Sequence, residues 1–216
     1  MFPALFVWYS ISAQLSNASF LHYTTDQGLS NDHITAIAKD NLGFMWIGTV
    51  GGINRFDGRT FKIFRHDPND RNSPPDDDIL GITLAPDGWL WIATNGGLCR
   101  LDPIRLRIER ITLFENGDTL KNGLVTKVAF DSKGMAWTTS ESGIHKINPA
   151  TCKQVFFFKT EQKNLGWYTT FIDKQDRLWL IKDTLRRFDP VTQTLDLFNS
   201  AKQGESFAPL FLVQDF

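Results

Sequence analysis

Asp76, Asp77 and Asp78 stand in a row inside the stretch NDRNSPPDDDI, and three carboxylates in one loop raise the question of calcium. Calcium needs several oxygen ligands converging on one point. Three consecutive Asp side chains do not converge without a looping backbone, and their spacing does not fit a DxDxDG loop, so no metal site is read here. His22, His33, His66 and His145 are scattered, with no HExxH and no nucleophile beside them. Cys99 and Cys152 are the only cysteines. Two are too few for a disulfide framework or a pair of CxxC motifs, and whether they bridge or stay free thiols is open. No catalytic residue and no cofactor is assigned. What remains is a set of polar and aromatic loop residues suited to a sugar, which offers hydroxyls and apolar ring faces. They are Asn31, Asp32 and His33, then Asp77 and Asp78, then Asn95, then Tyr168. Asn122 and Glu141 belong to the same kind of loop, while Trp167 takes the register of Ile34 and is read as core. Asp and Asn are also ordinary turn residues, so such loops need not bind anything.

The elements that position these loops are read from a repeat. Trp46, Trp91, Trp137 and Trp179 follow one another at gaps of 45, 46 and 42 residues. Three positions before each stand Gly43, Gly88, Gly134 and Asp176; six before stand Asp40, Ala85, Asp131 and Asp173. Six after the first three stand Gly52, Gly97 and Gly143, and the fourth unit realigns by placing Leu185 opposite Ile53, Leu98 and Ile144. Each unit splits into four short apolar runs separated by turn formers, such as ITAIAKD, FMWIGT, INRFD and TFKIFRH in the first. No window shows sustained helical spacing with caps at both ends. Four strands on such a beat, with glycine turns and a fixed Trp, predict an all-β chain built as a β-propeller of four-stranded antiparallel blades. Alternation puts Phe44, Trp46 and Gly48 on one face of the second strand, so the tryptophans are expected between blades, with Gly48 and Ala93 leaving room for the neighbouring sheet. His145 falls at the third-strand position of Asn54 and Cys99 and is read as framework.

The chain has 216 residues and a net charge of −1, which gives no electrostatic footprint for nucleic acid. Aromatics make up 13% of it, which suits pleated surfaces. Residues 1–13 resemble the apolar and cleavage regions of an export signal, without the basic start. Residues 19–30 match a fourth strand and are expected to be a leading closure strand with its loop. The units are expected at about 31–70, 76–118, 122–162 and 165–202, with a partial one at 207–216. The expectation is a piece of a longer propeller: about four complete blades plus parts.

The run GLSNDHITAIAKDNLGFMWIGTVGGINRFDGRTFKIF, Gly28 to Phe64, resembles the two-component regulator propeller repeat. ILGITLAPDGWLWIATNGGLCRLDP resembles it nearly as well; the third and fourth units depart by losing turn glycines. The resemblance implies a seven-bladed propeller in the periplasmic part of a hybrid sensor histidine kinase, followed by further domains that this sequence does not hold. It implies oligosaccharide or another small periplasmic ligand, transcriptional control by phosphorelay, and a homodimer in the full sensor. A secreted propeller enzyme acting on glycans and a non-catalytic interaction propeller remain as alternatives.

Overall fold

The computed structural model describes residues 20–115, 117–120, 123–160, 169–181 and 184–198. Four four-stranded sheets form its framework. The first contains β1 (Ile34–Lys39), β2 (Met45–Thr49), β3 (Gly52–Phe56) and β4 (Phe61–Phe64). The second contains β5 (Ile79–Leu84), β6 (Leu90–Thr94), β7 (Gly97–Asp102) and β8 (Arg107–Ile111). A small hairpin follows, β9 (Phe114–Glu115) and β10 (Asp118–Thr119). The third sheet contains β11 (Val128–Phe130), β12 (Ala136–Thr139), β13 (Gly143–Asn148) and β14 (Lys153–Lys159). The fourth contains β15 (Thr169–Ile172), β16 (Leu178–Ile181), β17 (Leu185–Asp189) and β18 (Thr194–Phe198). Within each four-stranded sheet the strands pair in chain order, and every pair is antiparallel.

The turn joining the first two strands of each sheet explains the sequence beat. Asp40 Oδ1 accepts the amides of Leu42 at 2.9 Å and Phe44 at 3.0 Å, while its carbonyl accepts the Gly43 amide at 3.1 Å. That closure needs a left-handed residue three places on. Gly43, Gly88 and Gly134 supply it with φ of 92°, 85° and 73°. In the fourth sheet Asp176 takes the same position at φ 60°, a conformation that Asp tolerates better than most residues.

Each of the first three tryptophans packs against the following sheet. Trp46 lies in a core with Ile79, Ile82, Leu90 and Ile92; Trp91 with Val125, Val128, Ala136 and Ile147; Trp137 with Ile172, Leu178, Leu180 and Phe188. Trp46 and Trp91 are wholly buried, and truncating such a side chain costs roughly 3–5 kcal/mol. Trp179 is half-buried. Gly48 makes the close approach possible: a Cβ there would sit 2.6 Å from Ile79 Cγ2. The first strands β1, β5, β11 and β15 touch in succession. Thr35 Oγ1 donates to the Ile79 carbonyl, and Thr83 Oγ1 to that of Val128 at 2.8 Å. Sheets stacked face to face with their first strands adjacent are the blades of a propeller.

At three places the structure adds detail to the sequence reading. Within 19–30, the described residues form no strand but a single 3-10 turn, Thr25–Gln27. A strand needs a ladder partner, and none stands beside them among the described residues. Phe20 and Leu21 are 82% and 77% exposed, and Tyr23 instead lays its ring edge-on against Phe56 and Phe61. The fourth strand of the second sheet ends at Ile111, and the chain then folds into the β9–β10 hairpin. Cys99 and Cys152 are both free. Cys99 belongs to the core between the first and second sheets, and Cys152 packs against the core between the second and third. Residues 1–13, Asn122, Trp167, Tyr168 and 207–216 lie outside the described residues.

Candidate functional site

The connections from β4 to β5 and from β6 to β7 meet at one end of the first two sheets. Two backbone bonds fix the junction: Gly52 N–H donates to the Asp77 carbonyl at 2.8 Å, and Asn95 N–H to the Asp78 carbonyl at 3.0 Å. The three aspartates, adjacent in sequence, do different things. Asp76 Oδ1 accepts the Asp78 amide at 2.8 Å. Asp77 Oδ1 turns back to accept the His66 amide at 2.6 Å. Asp78 is half-buried, and its carboxyl is held above the ordinary carboxylate range. Burial is the main cause, the like charge of Asp76 adds to it, and His33 opposes it.

The sequence-derived residues therefore divide. Asp76, Asp78 and Asn95 are joined by hydrogen bonds through the Asp78 backbone, and His33 stands near enough for its charge to act on the Asp78 carboxyl. Asn31 closes its own turn by accepting the His33 amide at 2.8 Å. Asp32 holds the leading segment, accepting the Thr25 amide at 2.7 Å. A cavity of about 210 Å³ opens beside the cluster, lined in part by Pro75, Gly96, Arg110, Leu113, Thr119 and Gly123. Gly96 ties it to the aspartates: a Cβ there would lie 2.9 Å from that of Asp76. Among the described residues no three His, Cys, Asp or Glu side chains converge as a metal-ligand set. The arrangement offers a carboxyl that holds its proton more readily than usual, an exposed imidazole and an exposed amide. Such groups donate and accept hydrogen bonds to neutral hydroxyls.

His145 lies elsewhere and has no free ring nitrogen. Gln154 Nε2 donates to the Phe114 carbonyl and its Oε1 accepts the Phe114 amide, which fixes the amide's orientation. His145 Nδ1 therefore donates to Gln154 Oε1 at 2.9 Å, and Nε2 accepts from Ser140 Oγ at 2.7 Å. Burial is the main cause that pushes this imidazole down to about 4. At the matching position Asn54 is also buried and pins the first loop, with Oδ1 accepting the Ser30 amide at 2.8 Å. A polar residue recurring at one third-strand position was the visible signal. Its partners, lying on other segments, were not.

Residues 28–51 match the two component regulator propeller family. "Histidine kinase P4" of Formosa agariphila is 44% identical over 68 residues, which is 32% of this chain and 5% of that protein. The extracellular domain of a putative hybrid two component system from B. thetaiotaomicron superposes with a TM-score of 0.70 at 20% identity, covering 83% of this chain and 26% of that one. A catalytically inactive virginiamycin B lyase from Staphylococcus aureus, with quinupristin, superposes with a TM-score of 0.59 at 18% identity, covering 79% and 57%. At such identities the two structures speak for the fold alone, and the fold hosts unlike functions. The chain carries a two-component regulator propeller repeat, and it spans a small part of the length of the curated relative that it matches.

Proposed function

We propose that this chain is part of the ligand-sensing propeller of a membrane-bound hybrid two-component sensor histidine kinase, lying outside the cytoplasmic membrane. The observation that carries the reading is the repeat at residues 28–51, within a chain that is 44% identical over 68 residues to a histidine kinase. The propeller supplies no catalytic group to that reaction. Its part is to bind a ligand with unequal affinity in two states of the sensor, since only a difference in affinity moves an equilibrium.

The ligand in this reading is a neutral oligosaccharide. Support comes from the cluster of His33, Asp76, Asp78 and Asn95 beside a cavity of about 210 Å³. Hydroxyls need donors and acceptors at fixed places, and here both stand on loops anchored to strands by backbone hydrogen bonds. The test uses the complete sensor in lipid membranes, supplied with ATP and a panel of neutral oligosaccharides. At least one oligosaccharide changes the steady level of phosphorylated histidine or aspartate. Phosphorylation that ignores the whole panel would overturn the ligand class, and a complete protein that transfers no phosphoryl group would overturn the sensor kinase itself.

A further inference from the structure

Arg110 occupies an unexpected place. It pairs across the ladder with Cys99. The equivalent pairs elsewhere are Asn54 with Ile63, His145 with Phe157, and Arg186 with Leu197. Three sheets put an apolar side chain where the second puts a guanidinium. A charge there needs a partner, and the second sheet does not provide it.

The partner is the loop that precedes that sheet, residues 65–78. Arg110 Nε donates to the Ser73 carbonyl at 2.9 Å. Nη2 faces Ser73 Oγ at 2.8 Å and the carbonyls of Asp70 and Pro74, both at 3.1 Å. The Asp67 carbonyl at 3.4 Å and His66 Nδ1 at 3.5 Å complete the ring of acceptors. The loop wraps itself around this cation. Ser73 Oγ reaches the carbonyls of Asp67 and Asp70, Asp67 N–H donates back to Ser73 Oγ, and Ser73 and Pro74 are buried.

Two consequences follow from the partners being carbonyls. Among the described residues Arg110 forms no ion pair, so it leaves the carboxylates of Asp76 and Asp78 unneutralised. The clasp also ends at Pro74 and Pro75, whose rings restrict the backbone, and Asp76 follows immediately. The direction in which the loop leaves Arg110 thus sets where the aspartates arrive.

We propose that Arg110 is a positioning residue: by clasping residues 66–74 from the second sheet it fixes the places of Asp76, Asp77 and Asp78 beside His33 and Asn95. The importance of those places rests on the ligand reading above; the mechanical claim does not. Its test uses no ligand, so silence in an oligosaccharide titration and failure here are separate results.

The experiment compares the unaltered chain with Arg110→Ala and Arg110→Lys. Native-state trypsin cleavage after the exposed Arg71 reports the loop, and hydrogen exchange at the amides of Gly52 and Asn95 reports the aspartate junction. In Arg110→Ala both rise by about tenfold or more, the size of one lost charge-assisted hydrogen bond. The amides of β13 and β14 keep their protection. Millimolar methylguanidinium restores the slow rates in Arg110→Ala, because the ring of carbonyls accepts a free guanidinium. Arg110→Lys rescues only in part, having no planar fork to meet several acceptors. Equal loosening of β13 and β14 would make Arg110 merely structural and overturn the proposal. So would faster cleavage at Arg71 with unchanged exchange at Gly52 and Asn95, or methylguanidinium without effect.

Discussion

The Trp137 indole N–H donates to the Asp131 carboxylate at 2.9 Å, six residues earlier in the chain. Trp46 does the same to Asp40 and Trp179 to Asp173, both at 2.8 Å. One carboxylate thus closes the first turn of the sheet with one oxygen and satisfies a Trp with the other. The second sheet breaks the rule: Ala85 stands in place of the Asp, and the buried Trp91 Nε1 has no partner among the described residues.

Restoring the missing group should stabilise the chain. Ala85→Asp gives Trp91 an acceptor and offers a second oxygen to a turn amide. The expected gain is about 1 kcal/mol, since the indole and one turn amide gain an acceptor and offset the burial of the carboxylate, while the Trp89 amide already donates to Asp87 Oδ1 at 3.1 Å. That corresponds to about 2–4 °C in Tm for a chain of this size. Asp40→Ala does the reverse and costs about 1–3 kcal/mol, leaving Trp46 Nε1 and two amides without acceptors. Thermal unfolding of both variants checks the pair, and an Ala85→Asp variant that melts lower than the parent would contradict the account.

His145 makes stability depend on pH in a defined window. Its ordinary value is 6.5, and burial lowers it to about 4 in the folded chain. The unfolded chain therefore takes up a proton first as pH falls. The stabilisation is whole above 6.5 and is lost progressively as pH drops through the folded value near 4. The full loss is roughly 3 kcal/mol. His145→Asn, the residue that the first sheet carries at this position, removes that slope. Urea unfolding at pH 7 and pH 5 measures it, and an equal pH dependence in parent and variant would refute the assignment. The Asp131 and Asp173 carboxyls titrate lower. Burial opposes their ionisation, but the indoles, the turn amides and the neighbouring Lys146 or Arg177 outweigh it and hold both below 3.8. Their contribution is present above that value and disappears as pH falls further.

The turns between third and fourth strands carry removable strain. Leu106, Cys152 and Gln193 sit at φ of 56°, 55° and 56°, each four residues after Asp102, Asn148 or Asp189. Gln193 is exposed, so replacing it removes little packing. Gln193→Gly is expected to stabilise by about 1 kcal/mol, the cost of a left-handed residue with a Cβ less the entropy of glycine. Leu106→Gly should not, because Leu106 packs against the core between the first two sheets. Denaturant midpoints of the two variants should move in opposite directions.

The architecture was legible because it recurs. A Trp every 42–46 residues, with a turn residue three places before, marks each sheet, and even Asp176 keeps the glycine's backbone conformation. The positions of Asp40, Asp131 and Asp173 were visible too, but not their bond to the indole, since a Trp on a strand is explained by burial alone. What does not recur was not legible. The closure strand expected at 19–30 depends on a partner outside the four sheets. The role of Arg110 depends on a loop of the preceding sheet, which periodicity does not connect to it. Asp76, Asp77 and Asp78 look equivalent in sequence, yet one hydrogen bond to the His66 amide separates Asp77 from the other two.

The proposed function turns on whether a neutral oligosaccharide binds at the cluster between the first two sheets. Calorimetric titration of an oligosaccharide panel onto the complete extracellular region, with and without Asp78→Asn, tests it directly. Saturable heat is expected with at least one oligosaccharide, and about tenfold weaker binding in the variant at an unchanged melting temperature. Equal affinity in parent and variant, or no heat with any oligosaccharide, would contradict it.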